Sequence, residues 1–363
     1  MSLLLALVAA TGIQAAPAPA PPASDRYLRV AWRKELLAPA LLEWKAREPG
    51  GPAVDPATGM VVVGARDGAL QAFQPDGMHI WSFQAQGPFE APPAVEGDTV
   101  YAGSADGRLY ALERTTGKER WRYDAKEEIG SRPVVVDGVV YFATMQDTVF
   151  AVDARTGAWK WHQRREAPGR FTIRGVAWPT VAGGIVYAGF ADGTVTALDA
   201  KTGQVKWERH VAPTGEFTDV DSTPQVADGR VYVAAFSGAV LALDAASGKV
   251  LWEVKAPEAC RVKLSGNILV AVTAKSVLGL SPADGKQLWA AKLDGSPAGE
   301  PVVATRWVLV PATQGVLVLD LASGKRLRLL DTGTGSSATP AVLGSRAYVL
   351  SNGGRLLAVD LLQ

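Results

Sequence analysis

The chain of 363 residues contains very little cysteine and histidine: one cysteine, Cys260, and three histidines, His79, His162 and His210. A single cysteine excludes an intramolecular disulfide and excludes zinc or iron–sulfur sites built from several cysteines. Three scattered histidines do not suggest a histidine metal cluster. Excess charge of one sign is also lacking, because 37 basic and 36 acidic residues leave a formal net charge of +1. This balance points to neither nucleic acid nor an anionic membrane as a partner.

Long apolar runs are missing from the body of the chain, so no membrane-spanning segment is predicted there. The N-terminus is different, since the apolar run Leu3–Val8 precedes small residues and then a Pro/Ala-rich stretch. This pattern predicts a secretory signal peptide at residues 1–15 and a linker at residues 16–26. We therefore expect an exported protein. No cysteine follows this segment, so lipid attachment through an N-terminal cysteine is not expected.

One segment, Asp106–Trp121 with the sequence DGRLYALERTTGKERW, recurs along the chain. Its copies lie at Asp147–Trp161, Asp192–Trp207 and Ser237–Trp252, with weaker copies at Asp67–Trp81 and Ala274–Trp289. A repeat period of about 40–45 residues is typical of propeller blades. A residue that recurs in every copy is expected to build the fold, with tryptophans packing between blades and glycines making turns.

Each copy divides into four short strands, which in the second blade are predicted at Pro93–Val95, Thr99–Ser104, Arg108–Leu112 and Lys118–Tyr123. Asp-Gly and Thr-Gly dipeptides between strands suit tight turns because glycine tolerates positive φ. The middle strands are apolar at successive positions, so both of their faces should be covered. The fourth strand is mostly charged and suits an outer rim.

The last copy has only three strands, ending with Leu356–Leu361, and Tyr27–Trp32 supplies a fitting fourth. We therefore predict an all-β protein: one eight-bladed β-propeller at residues 27–363, with its last blade closed by the N-terminal strand. In the seventh copy Arg328 occupies the tryptophan position.

The repeat is broken by two insertions, each between a fourth strand and the next first strand. They are His162–Val176, HQRREAPGRFTIRGV, and Val211–Asp221, VAPTGEFTDVD. They flank blade four on one face, so we expect them to lie side by side. The first is rich in arginine around Phe171 and Ile173, and the second is acidic. Apolar side chains beside arginine are typical of protein interfaces. The alternative is an internal role, with Arg174 paired to Asp219 or Asp221.

The A-x-D-x-x-T-G-x-x-x-W pattern at Ala151–Trp161 and Ala197–Trp207 resembles the repeat of PQQ-type quinoprotein propellers. Within that superfamily the chain from Tyr27 to Gln363 resembles the BamB family of outer-membrane β-barrel assembly factors. FTIRG at Phe171–Gly175 and DVDSTP at Asp219–Pro224 are similar to two of that family's loop motifs. The resemblance implies docking to the periplasmic domains of the barrel-inserting subunit, and it assigns partner binding to Phe171, Ile173, Arg174, Asp219 and Asp221.

The resemblance further implies a monomeric, non-catalytic periplasmic scaffold, placed peripherally at the inner face of the outer membrane, with no cofactor or metal. The chain departs from the family in lacking a lipobox cysteine. It departs again in blade six, where Ala259–Val262 replaces a proline-led first strand and Cys260 is expected in the core. Two alternatives stay open: a PQQ- and Ca²⁺-dependent dehydrogenase with its cofactor in the central funnel, and an exported interaction propeller with an unrelated partner.

Overall fold

The computed structural model describes residues 27–37, 47–165, 176–212, 219–236 and 238–362. These residues form 32 strands in eight separate four-stranded antiparallel sheets. The predicted all-β, eight-bladed propeller is therefore confirmed. The expected signal peptide and linker, residues 1–15 and 16–26, lie outside the described residues. Within the described ranges no helix is long and apolar enough to cross a membrane.

The strands run in chain order, with β1 (Leu28–Glu35) preceding the first complete blade. Blades one to four are β2 to β5 (Gly51–Val54, Val61–Gly64, Ala69–Phe73, His79–Gln84), β6 to β9 (Ala94–Glu96, Thr99–Gly103, Arg108–Glu113, Glu119–Asp124), β10 to β13 (Val134–Val136, Val139–Ala143, Thr148–Asp153, Trp159–Arg164) and β14 to β17 (Thr180–Ala182, Ile185–Gly189, Thr194–Asp199, Val205–His210). Blades five to eight are β18 to β21 (Gln225–Ala227, Arg230–Ala235, Ala239–Asp244, Val250–Lys255), β22 to β25 (Ala259–Ser265, Ile268–Thr273, Ser276–Leu280, Gln287–Lys292), β26 to β29 (Val302–Ala304, Trp307–Ala312, Gly315–Asp320, Arg326–Leu330) and β30 to β32 (Ala341–Leu343, Arg346–Leu350, Arg355–Leu361).

Burial follows the predicted order from axis to rim. In blade two every residue of β7 is buried, whereas β9 alternates between half-buried and exposed positions. The first strand begins at Ala94 and not at the predicted Pro93, because proline has no N–H to donate to the sheet ladder. The continuous apolar runs thus correspond to strands covered on both faces by neighbouring blades.

Tryptophan on glycine is the repeated contact between blades. The Trp121 indole N–H donates to the Ala154 carbonyl of blade three at 3.2 Å, and its ring covers Gly157. A Cβ at Gly157 would lie 2.6 Å from that ring, and the residue has a φ of +72°. The same contact joins Trp81 to Gly117, Trp161 to Gly203, Trp207 to Gly248, Trp252 to Gly285, Trp289 to Gly324 and Trp32 to Gly77. Turn glycines therefore serve the preceding blade's tryptophan as well as their own turn.

The ring is closed as predicted, with β1 antiparallel to β32 from Leu28 opposite Leu361 to Glu35 opposite Arg355. Arg29 and Asp360 form an ion pair of 2.8 Å across this junction. The closure also explains why Arg328 occupies the tryptophan position in blade seven. The third and fourth strands of blade eight come from opposite ends of the chain, so blade eight has no turn glycine on which a tryptophan could pack. Tyr27 packs edge-on against Trp307 near this seam.

Blade six differs from the others at the axis. Its first strand β22 has seven residues where most first strands have three, and the pairing register shifts between Ala259 and Arg261. No proline interrupts its ladder. Cys260, at the register shift, is only partly buried, and its Sγ lies 3.5 Å from the Val272 carbonyl. The expectation of a core cysteine is therefore met in part, since Cys260 also lines the central funnel.

Candidate functional site

The second insertion returns to the propeller through a buried acidic segment at the start of blade five. Asp219 is 2% exposed, Val220 is 1% exposed and Ser222 is fully buried. The Val220 N–H donates to the Phe190 carbonyl of blade four, and the Asp219 carbonyl accepts from the Phe236 N–H of blade five, both at 3.2 Å. The segment is thus fixed between two blades.

Asp221 points into the central funnel and is held there by a cation of blade six. Arg261 Nη1 lies 3.8 Å from Asp221 Oδ2, and Arg261 Nε lies 3.2 Å from Glu300 Oε1. Asp221 Oδ1 is buried without a hydrogen bond among the described residues. Burial raises the pKa of Asp221 to about 6; Arg261 opposes this rise and Asp219 adds to it. Among the described residues the ion-pair partner of Asp221 is therefore Arg261. Arg174, which the internal alternative pairs with Asp219 or Asp221, lies outside the described residues.

The first insertion leaves blade three through two paired arginines. Arg164 Nη1 is 3.3 Å from Glu127 Oε1. Arg165 reaches into blade four, where it contacts Asp192 at 2.9 Å and Glu208 at 2.6 Å. The Arg165 guanidinium also lies 5.4 Å from the centre of the Phe190 ring, within the range of a cation–π contact. Both arginines are used by the fold, which places the start of this insertion against blade four.

A second carboxylate with a raised pKa lies beside the described ends of the two insertions. Asp147, in a turn of blade three with a φ of +55°, accepts a long hydrogen bond of 3.4 Å from the Ala191 N–H. Burial raises the pKa of Asp147 to about 6, and the carboxylates of Asp192 and Asp219 raise it further against the opposing Ala191 and Arg165. Acidic groups of blades three, four and five are therefore concentrated at one place.

The structure brings together the described ends of the two insertions, as predicted. Val176 at the end of the first and Asp221 at the end of the second line both the funnel and a small adjoining cleft. Phe171, Ile173 and Arg174 lie outside the described residues. Asp219 and Asp221 are too buried to present their carboxylates broadly to a partner, so their geometry suits positioning of the loop.

Five positions at or just before the first strands along the axis, three of them charged, were not singled out from the sequence. In blades three to seven, one residue of the first strand pairs with the third residue of the second strand or its equivalent, which is a tyrosine in blades three, four and five. The residues two positions before that paired residue are equivalent in the five blades: Arg132, Trp178, Thr223, Arg261 and Glu300. Comparing this position across the repeats would have identified Arg132, Arg261 and Glu300, because each is a charged residue in an otherwise regular segment. Arg132 and Glu300 directly precede a proline, and Arg261 lies within β22.

Two cavities meet along the axis at Trp178, Glu300 and Thr339. The larger cavity, about 760 Å³, lies on the side of the insertions and is lined in part by Asp221 and Arg261. The smaller cavity, about 640 Å³, is surrounded by the first strands. Among the described residues, no group of three or more histidine, cysteine or carboxylate side chains is arranged to hold a metal ion.

This architecture and its repeat define the class of eight-bladed propellers built from quinoprotein-like repeats. The sequence model of the family "Outer membrane protein assembly factor BamB" matches residues 66–276 and 238–363. The chain belongs to that family. None of the curated protein sequences is significantly similar to it.

Solved structures share this fold at low sequence identity. BamB from Moraxella catarrhalis is 22% identical with a TM-score of 0.77, over 92% of this chain and 100% of that chain. The computationally designed Ika8 protein is 19% identical with a TM-score of 0.71, over 90% and 99%. Quinohemoprotein alcohol dehydrogenase from Comamonas testosteroni is 16% identical with a TM-score of 0.74, over 92% and 76%. At these identities the likeness establishes the fold alone.

Proposed function

We propose that the chain is a non-catalytic periplasmic scaffold that assists insertion of β-barrel proteins into the outer membrane. It docks to the periplasmic domains of the barrel-assembly subunit through the two insertions around blade four. Family membership supports this role. The observation that carries the site is the convergence of both insertions on one acidic junction of blades three, four and five.

The residues divide into two roles under this proposal. Asp219 and Asp221 are positioning residues. Asp219 is buried, the side chain of Asp221 is 9% exposed and paired with Arg261, and their segment is held between blades four and five. Phe171, Ile173 and Arg174 supply the contact surface. An apolar pair beside an arginine is the composition expected at the centre of a protein interface.

The funnel residues do not fit the alternative of a Ca²⁺-dependent quinoprotein dehydrogenase. Calcium requires six to eight oxygen ligands, mostly from carboxylates and carbonyls. Two of the carboxylates that line the funnel, Asp221 and Glu300, are both engaged by Arg261. A calcium ion there would compete with a guanidinium that is already in place.

Capture from native outer membranes tests the proposal. Tagged wild-type protein should retain the barrel-assembly subunit, and Asp219→Asn and Arg174→Ala should each retain less while keeping the wild-type circular dichroism spectrum. Arg155→Ala is the control, because Arg155 is an exposed turn residue of blade three. Equal capture by all four proteins would contradict the site. Dye-linked alcohol oxidation by protein supplied with PQQ and Ca²⁺ would favour the enzyme instead.

A further inference from the structure

The cavity of about 640 Å³ surrounded by the first strands carries two cations on its wall. Arg132 precedes Pro133 at the start of blade three, and Lys263 lies within β22 of blade six. Lys263 reaches the cavity wall as part of the first strand that lacks the usual proline. A volume of this size is within the range of small-molecule sites, roughly 300–1,000 Å³.

Neither cation is in direct contact with an opposite charge in the part of the chain that the structure describes, although Glu300 attracts Lys263 from beyond ion-pair distance. Within the described ranges, the side chains of Arg132 and Lys263 make no hydrogen bond and no ion pair. The nearby carboxylate of Glu300 is already occupied, since it pairs with Arg261 at 3.2 Å and accepts from Thr223 Oγ1 at 3.1 Å. Glu96, the other acidic residue of this cavity, is exposed at the end of β6. The middle of the cavity therefore has surplus positive charge.

The electrostatic cost of this arrangement is visible in both groups. Lys263 is half-buried, and desolvation is the largest effect that lowers its pKa. The side chain of Arg132 is exposed to the cavity, where the surrounding walls lower its pKa in the same direction. Glu300 partly opposes the change at Lys263, and the positive charge of Arg132 increases it. The two cations therefore repel each other across the cavity, and a bound anion would relieve that repulsion.

We propose that this axial cavity binds a small multivalent oxyanion, a polycarboxylate or a phosphate, held between Arg132 and Lys263. The planar guanidinium offers a two-pronged contact to carboxylate or phosphate oxygens, and the ammonium group adds a compact charge. The site lies on the axis, in the cavity that the first strands surround and not in the one beside the insertions around blade four.

Isothermal titration of the purified chain with citrate and, separately, with inorganic phosphate at constant ionic strength tests the site. The wild type should bind at least one of them saturably with one ligand per chain, and the better ligand identifies the oxyanion class. The variant Arg132→Gln/Lys263→Gln should bind at least about tenfold more weakly, as loss of charge-assisted hydrogen bonds requires. The matched control Arg155→Gln/Lys286→Gln removes the same charge from exposed turns and should bind like the wild type.

Thermal unfolding separates binding from a structural role for these cations. Without ligand, the double axial variant should unfold at or above the wild-type temperature, because an unfavourable pair of cations has been removed. With ligand, only the wild type and the control should gain stability. Absence of saturable binding of both anions to the wild type, or equal binding by the axial variant, would overturn the proposal. Destabilisation of the unliganded axial variant would assign the cations to the fold instead.

Discussion

Trp161 and Asp219 are both almost fully buried, yet their surroundings are opposite in kind. Trp161 packs on Gly203 and donates to the Ala200 carbonyl at 2.9 Å, a contact repeated at seven seams. Asp219 belongs to a segment found once, beside Asp147 and Asp221, whose pKa values burial raises to about 6 with a further contribution from the Asp219 carboxylate. The tryptophan–glycine contacts at the seams between blades stabilise the fold and are alike from blade to blade. The carboxylates of Asp147, Asp219 and Asp221 beside blade four instead carry negative charge that disfavours folding. Such local conflict is expected where function, and not stability, has determined the residues.

The largest effect is expected at the seams. Trp161→Ala should lower the free energy of unfolding by roughly 3–5 kcal/mol, because a large buried ring is replaced by a cavity. Trp159→Ala, on the same strand, removes a ring that is 56% exposed and should cost less than about 1 kcal/mol. Urea unfolding followed by circular dichroism measures both values. Similar losses from the two variants would contradict the seam assignment.

A smaller effect separates the two duties of the turn glycines. Gly117 and Gly138 have φ values of +70° and +73°, but only Gly117 lies under a tryptophan, with a Cβ position 2.5 Å from the Trp81 ring. Gly138→Ala should cost roughly 1 kcal/mol, the strain of positive φ alone. Gly117→Ala should cost about 1–3 kcal/mol more, from overpacking against Trp81. Equal losses in unfolding free energy would show that the ring moves aside freely.

Replacing a carboxylate of the acidic junction of blades three, four and five should increase stability, whereas the substitutions at the seams should decrease it. The pKa of Asp147 rises from 3.8 to about 6 on folding, so its contribution to stability is full below about pH 4 and is lost as pH rises through 6. Asp147→Asn cannot ionise, and asparagine tolerates positive φ. At about pH 7.5 the variant should be roughly 1–2 kcal/mol more stable than the wild type, and at about pH 4 the two should agree. Melting temperatures across this pH range measure the difference; a difference independent of pH would exclude Asp147 as its source.

Much of the fold followed from the repeat, because tryptophan, turn glycine and apolar runs recur with one physical role each. The closing strand at Leu28–Glu35 could be predicted since the last copy lacks a fourth strand. The axial charges were missed because Arg132 and Lys263 look locally like solvated residues. Only ring geometry, which gathers first strands distant in sequence, places them in one cavity. The partner of Asp221 was missed for the same reason, since Arg261 belongs to the degenerate blade six.

The central functional proposal is that the two insertions around blade four bind the barrel-assembly subunit. Binding of purified periplasmic domains of the barrel-assembly subunit, measured by biolayer interferometry, tests it most directly. Arg174→Ala should weaken binding by at least about tenfold, since interface arginines commonly contribute more than 1.4 kcal/mol, while Arg155→Ala should bind like the wild type. Wild-type affinity in the Arg174→Ala variant would contradict the account.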